Sequence, residues 1–232
     1  MVAVFGCGRE PQRSAPGPGD PLPSIRLVAA NRHADPLREW AQRRADKYGI
    51  PARALQAYGY ATVALAQTQP ACHLGWTTLA GIARVESDHG RHRGATIAAD
   101  GSVRPQIRGI PLDGTSGTAR ILDTDATGRT GYARAAGPFQ FIPGTWKRWG
   151  VRADTEYRTL ATILENGKPS ASGDSIGSPD NIDDAALTAG RYLCASGGDL
   201  ATYDGWRRAV LAYNHSAVYV GQVHAAATGY TE

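Results

Sequence analysis

The stretch Leu79-Ala80-Gly81-Ile82-Ala83-Arg84-Val85-Glu86-Ser87-Asp88-His89-Gly90 predicts an amphipathic helix that carries a carboxylate on its apolar face. At about 100° per residue, Glu86 falls on the same side as Leu79 and Ile82. Arg84 and Thr77 lie on the other side, towards solvent. Burial raises the pKa of a carboxyl group, and an acid that stays protonated near pH 7 can serve as a general acid. The pattern therefore predicts a catalytic acid, or a Glu86 that is held in a structural ion pair or turned to the rim of the helix.

The composition is that of a globular protein that does not bind nucleic acid. The chain has 232 residues, of which 42% are hydrophobic and 20% are charged. Its net charge of +4 is not gathered into a block of Lys and Arg, as nucleic-acid binders require, but it favours anionic surroundings such as a cell-wall polymer. Nothing approaches the run of about 18 apolar residues that crosses a membrane.

Two of the three cysteines are candidates for a disulfide. Cys72 precedes the Glu86 helix and Cys194 lies in an Ala-rich helical run, so a bond between them closes a long loop and implies an oxidising compartment. Two buried free thiols are the alternative.

Residues 1–30 predict a tether ahead of the folded domain. Prolines recur among glycines and charged residues from Gly8 to Pro23, a composition that is extended and builds no core. Val4-Phe5-Gly6-Cys7 resembles the end of a lipoprotein signal, in which Cys7 is acylated and anchors the protein to a membrane. Six residues before Cys7 are too few for such a signal. Either the natural start lies upstream, or Cys7 has no such role.

The remainder, residues 31–232, predicts a single, mainly α domain. Helical spacing recurs with little alternation of the kind that strands show. Caps, prolines and glycines bound the segments, which begin near the following positions: Asp35, Pro51, Gly75, Thr145, Tyr157, Asn181 and Ser216. A further helix carries Trp206 to Tyr213, after a break at Gly197-Gly198.

Residues 91–136 form a long, irregular loop in this prediction, and such loops are often functional. Asp123 to Gly128 copies half of an EF-hand calcium loop, but Arg134 stands where a bidentate Glu is needed. His89 and His92 have no further ligands at zinc spacing. We therefore expect no metal and no cofactor, and interpret the loop aspartates as turn-forming or substrate-facing.

Three short motifs follow one another along the chain: Glu86-Ser87, Gly137-Pro138-Phe139-Gln140 and Ala212-Tyr213-Asn214. Together they resemble those of the lytic murein transglycosylase family. The continuation through Phe141-Ile142-Pro143 to Thr145-Trp146 is similar to the membrane-bound lytic transglycosylase B branch. The resemblance covers about residues 50–230 and implies an α+β, lysozyme-like fold.

The resemblance also implies roles for single residues. Glu86 is the one catalytic acid and base, and Gln140 hydrogen-bonds the substrate from its turn. Tyr213 and Asn214 line the cleft near the Glu86 carboxylate and the N-acetyl group of the sugar.

Further substrate contacts are expected from Ser87, Phe139 and Tyr132, although Ser87 is equally consistent with a structural role. Pro138 and Phe139 stand where the family has Leu and Met, which changes the shape of the apolar wall. Gly131 stands nine residues before Gln140, where some relatives have a serine near the catalytic Glu, and this departure leaves that contact open.

The resemblance implies a bacterial cell-envelope enzyme, lipid-anchored or secreted and monomeric, that acts on peptidoglycan glycan strands. It cleaves the MurNAc–GlcNAc β-1,4 bond without water and leaves 1,6-anhydromuramoyl ends. A hydrolytic muramidase of the same fold is an alternative if a loop aspartate such as Asp123 or Asp125 assists Glu86. Asp88 lies about 200° around the helix from Glu86 and is excluded from that role. A non-catalytic peptidoglycan-binding scaffold is the third possibility.

Overall fold

The described part of the computed structural model, residues 13–27, 34–115, 119–124, 127–165 and 176–231, is mainly helical. This confirms the predicted α-rich fold. Eight α-helices form within those ranges: α1 (Arg38–Tyr48), α2 (Ala52–Thr68), α3 (Trp76–Ser87), α4 (Pro143–Trp149), α5 (Tyr157–Glu165), α6 (Ile182–Gly197), α7 (Tyr203–Tyr213) and α8 (Ala217–Thr228).

The helices begin and end where the residue chemistry dictates. The side chain of Asn181 accepts hydrogen bonds from the backbone N–H groups of Asp183 and Asp184 at the start of α6. Thr202 and Ser216 cap α7 and α8 in the same way. These caps fix the two helices that flank the third sequence motif.

The core lies around α2 and α6, which pack against each other, while α3 packs chiefly against α8. The α3–α8 contact is close because Gly81 has no side chain: a Cβ atom there would lie 2.9 Å from the carbonyl oxygen of Val223. This close approach brings the first turns of α8 beside the last turn of α3.

The N-terminal segment, residues 13–27, is extended but is not a free tether, so that part of the prediction is wrong. Ile25 and Leu27 are buried in the main core. The indole N–H of Trp76 donates to the carbonyl oxygen of Asp20 at 3.1 Å. The buried side chains and this hydrogen bond hold the segment across the start of α3. Cys7 lies outside the described residues.

The same segment explains a second wrong expectation, that Thr77 faces solvent. Thr77 is fully buried, and its hydroxyl donates to the carbonyl oxygen of Gly17 at 2.5 Å. Arg84, which belongs to the same predicted polar face, is exposed. The N-terminal segment thus covers the beginning of the polar face of α3 but not its end.

Residues 91–136 are irregular, as predicted, but contain more strand pairing than the sequence indicates. Two antiparallel pairs form, β1 (Thr96–Ile97) with β2 (Val103–Arg104) and β3 (Leu122–Thr124) with β4 (Thr130–Tyr132). Backbone hydrogen bonds also join residues 107–112 to residues 133–137. The described parts of the loop are therefore short antiparallel pairs joined by backbone hydrogen bonds.

The predicted disulfide between Cys72 and Cys194 is present, and the alternative of two free thiols is wrong. The two Cα atoms are 5.3 Å apart, and the cysteines are separated by 122 residues in sequence. The bond joins α6 to the turn before α3. No helix in the described ranges is long and apolar enough to cross a membrane.

Candidate active site

The site is built around Glu86 in the last turn of α3. The helix ends at Ser87, and the next three residues, Asp88, His89 and Gly90, have φ values of 52°, 58° and 80°. Two non-glycine residues in this left-handed region are uncommon, and such strain often marks functional sites. The turn leaves Glu86 partly buried at the end of the helix.

Glu86 is bonded to a tyrosine that the sequence analysis missed. The hydroxyl of Tyr219 in α8 donates to Oε1 of Glu86 at 2.6 Å, and Tyr219 is only 5% exposed. The available signal was its position four residues before Val223, which places both side chains on the inward face of α8.

Burial raises the pKa of Glu86 to about 7, while the hydrogen bond from Tyr219 lowers it. Among the described residues, no other carboxylate contributes to this shift. Glu86 is thus a single carboxyl group that is close to half-protonated at neutral pH.

Ser87 joins α3 to the second motif. Its hydroxyl donates to the carbonyl oxygen of Pro138 at 2.6 Å and accepts from the backbone N–H of Gly90 at 2.8 Å. Because Ser87 is 2% exposed, its position is that of a structural link and not of a surface residue that meets a substrate.

The second motif is a tight turn in which Gly137 and Gln140 both have positive φ angles. Gly137 has a φ of 75°, and a Cβ atom there would lie 1.7 Å from the carbonyl oxygen of Pro179. Gln140 also has a positive φ, 49°, and its side-chain amide donates to the carbonyl oxygen of Gly137 at 2.8 Å. The turn therefore holds the partly buried Gln140 side chain in a fixed position.

The third motif is bonded to this turn. The hydroxyl of Tyr213 donates to the carbonyl oxygen of Phe139 at 2.7 Å, and burial, together with the nearby charge of Glu86, raises the pKa of Tyr213. Phe139 itself is fully buried, so its ring belongs to the core and not to an open apolar wall. Asn214 is exposed immediately after α7. The structure thus brings the three motifs together at one place.

Tyr132 and the described loop aspartates make no hydrogen bond to Glu86. Tyr132 is 43% exposed on β4. Asp123 accepts a hydrogen bond from Lys147 at 2.8 Å, and Asp100 and Asp113 accept hydrogen bonds from Ser102 and Thr115 within their own turns. Asp125 lies outside the described residues.

Two residues that follow Glu86 in sequence, Asp88 and His89, are bonded to other side chains. Asp88 is paired with Arg84 and Arg91. The imidazole of His89 is bonded through Nδ1 to the Tyr58 hydroxyl at 3.2 Å and through Nε2 to the Tyr230 hydroxyl at 3.0 Å. Burial, together with Arg91 and Arg84, lowers the pKa of His89 to about 3, so this ring is a neutral support of the turn.

Neither protein-family models, nor curated proteins, nor solved structures give a significant match to this chain. A functional assignment therefore has to stand on the geometry of Glu86 and the three motifs around it.

Proposed function

We propose that the chain is a peptidoglycan lytic transglycosylase that cleaves the MurNAc–GlcNAc β-1,4 bond and leaves a 1,6-anhydromuramoyl end. The observation that carries the proposal is the Glu86 carboxyl group, partly buried and bonded to the Tyr219 hydroxyl, with a pKa raised to about 7. The motif resemblance supplies the substrate, and the geometry supplies an acid of suitable strength at the place where the motifs meet.

The reaction needs one residue to act first as an acid and then as a base. Protonated Glu86 gives its proton to the glycosidic oxygen, which leaves with the GlcNAc side. The N-acetyl oxygen of MurNAc supports the positive charge that develops at C1. Ionised Glu86 then takes the proton from the C6 hydroxyl, whose oxygen bonds to C1 and closes the anhydro ring. A pKa near the working pH makes both steps accessible.

The absence of a second carboxylate among the described neighbours favours this route over hydrolysis. A hydrolase requires a second acidic group as nucleophile or base. The described aspartates of the long loop are bonded to Lys147 or within their own turns. The influences on the pKa of Glu86, burial and Tyr219, include no such group.

The neighbours of Glu86 have positioning roles in this proposal. Tyr219 orients the carboxyl group and stabilises its ionised form between the two steps. Ser87 and Tyr213 hold the turn of Gln140 against the end of α3, so that Gln140 and the exposed Asn214 meet the sugar at a fixed distance from Glu86.

We further propose an extracytoplasmic location. The Cys72–Cys194 disulfide is typical of oxidising compartments, and the positive net charge suits an anionic cell wall. Anchoring through an acylated Cys7 belongs to the same proposal.

The proposal is tested with the full chain and purified peptidoglycan. Mass spectrometry of the soluble fragments should find anhydromuramoyl ends with the wild type and with Glu165→Gln, an exposed control on α5. Glu86→Gln should abolish the fragments while the variant still binds sacculi. Reducing ends instead of anhydro ends would identify a hydrolase, and binding without any fragments would identify a scaffold.

A further inference from the structure

A groove of about 490 Å³ lies between the β3–β4 hairpin and the start of α4. Three arginines, Arg108, Arg129 and Arg134, line it together with Tyr132 and Asp123. The mechanism proposed above uses none of these residues, so the groove requires an explanation of its own.

The groove adjoins the turn that carries Gln140. Ala136 lines the groove and exchanges two backbone hydrogen bonds with Phe141, at 2.9 and 3.0 Å, across the base of the turn. Next to Arg108, a Cβ atom on Gly109 would lie 3.1 Å from Oε1 of Gln140. A ligand that contacts Gln140 can therefore extend directly into the groove.

The groove is positively charged. Among the described residues that line it, the one carboxylate, Asp123, is paired with Lys147 at 2.8 Å, and Arg108 is paired with Asp180 at 2.5 Å. Arg129 and Arg134 are exposed, and Arg134 also donates to the carbonyl oxygen of Gly109 at 2.9 Å. The cations thus outnumber the anions, and guanidinium groups bind carboxylates through paired hydrogen bonds.

The sugar rings of a peptidoglycan strand are uncharged, and its carboxylates lie on the peptides attached to MurNAc. We propose that the groove binds these peptide carboxylates, with Tyr132 against the aliphatic part of the peptide, and that the preferred substrate is therefore peptide-bearing glycan. This inference rests on the proposed function, and it assigns Tyr132 to the peptide and not to a sugar ring.

The test compares intact sacculi with sacculi whose peptide carboxylates have been converted to uncharged amides with carbodiimide and ammonia. The wild type should have a lower KM for the intact polymer, and Arg129→Ala/Arg134→Ala should raise that KM about tenfold, the loss expected for charge-assisted bonds. In the double variant, the kcat on both polymers and the KM for the amidated polymer should be unchanged. Arg148→Ala, an exposed arginine on α4 that does not line the groove, should behave as the wild type.

Equal effects of the double variant on both polymers, or none on either, would overturn the inference while leaving the proposed function intact. Anhydro ends from neither polymer with the wild type would refute both. If circular dichroism shows that the double variant is unfolded, Arg129→Ala alone, in the turn between β3 and β4, is used and should raise the same KM severalfold. Increasing salt should reduce the wild-type preference, because screening weakens exposed charge pairs.

Discussion

Tyr219→Phe removes one hydrogen bond from the Glu86 carboxyl group and little else. The hydroxyl of Tyr219 donates to Oε1 of Glu86 at 2.6 Å, and the ring is buried against α3. Phenylalanine keeps the ring, so the packing of α8 on α3 is retained while the carboxylate loses its donor.

The size of the effect follows from the energy of that bond. A hydrogen bond to a charged group contributes about 1.5–3 kcal/mol, and 1.36 kcal/mol corresponds to one pKa unit. The bond lowers the pKa of Glu86 against the effect of burial, so its loss should raise this pKa from about 7 by about one to two units. Tyr213, also close to Glu86, stays neutral in this range because its own pKa lies well above its usual value.

The assay is the rate of anhydromuropeptide release as a function of pH. Glu86 must be protonated for the first step, so the alkaline limb of the kcat/KM profile reports its pKa in the free enzyme. We expect this limb to move to higher pH in Tyr219→Phe, with a lower maximal rate because the carboxylate is less well oriented. The control is Tyr192→Phe, which loses a bond to the carbonyl oxygen of Ala212 at 2.9 Å and should not move the limb. A limb that stays in place or moves to lower pH in Tyr219→Phe would refute the role assigned to this tyrosine.

Four further predictions concern stability and are measured by urea unfolding. Folding raises the pKa of Glu86 from 4.5 to about 7, so the contribution of its protonated form to the free energy of unfolding is complete below pH 4.5 and is lost as pH rises through 7. Glu86→Gln should therefore be more stable than the wild type at pH 8, by at most about 3 kcal/mol. Folding lowers the pKa of His89 from 6.5 to about 3, so the contribution of its neutral form to the free energy of unfolding is present above pH 6.5 and is lost as pH falls. His89→Asn should make the stability less dependent on pH between 7 and 5, and asparagine can adopt the left-handed backbone of this position. Deletion of residues 1–27 should cost roughly 3–6 kcal/mol from two buried aliphatic side chains, whereas loss of a detached tether would cost nothing. Replacing Cys72 and Cys194 by serine should cost roughly 4–5 kcal/mol, given a loop of 122 residues, and an unchanged urea midpoint would contradict this.

The helices and the position of Glu86 could be predicted because periodicity, caps and breakers are local features. The Pro51, Gly75 and Asn181 boundaries agree with the structure to within one or two residues. The disulfide could be proposed because Cys72 and Cys194 lie in or beside predicted helices of one domain, but the sequence also allowed two free thiols, and the structure shows the bond.

The features that could not be predicted depend on contacts between segments that are distant in sequence. Proline content predicts that residues 13–27 are extended but does not say whether they bind the domain, so the burial of Thr77 could not be foreseen. Tyr219 belongs to none of the three motifs, and it reaches Glu86 only because Gly81 lets α8 approach α3. The strands of residues 91–136 are two or three residues long, too short to produce an alternating pattern.

The central claim, that Glu86 acts alone and without water, is tested most directly by running the reaction in water enriched in heavy oxygen. Mass spectrometry of the released fragments should find anhydromuramoyl ends that carry no heavy oxygen, because the C6 oxygen of the sugar itself closes the ring. Reducing ends that carry one heavy oxygen atom would show that water attacks C1, and would contradict the account.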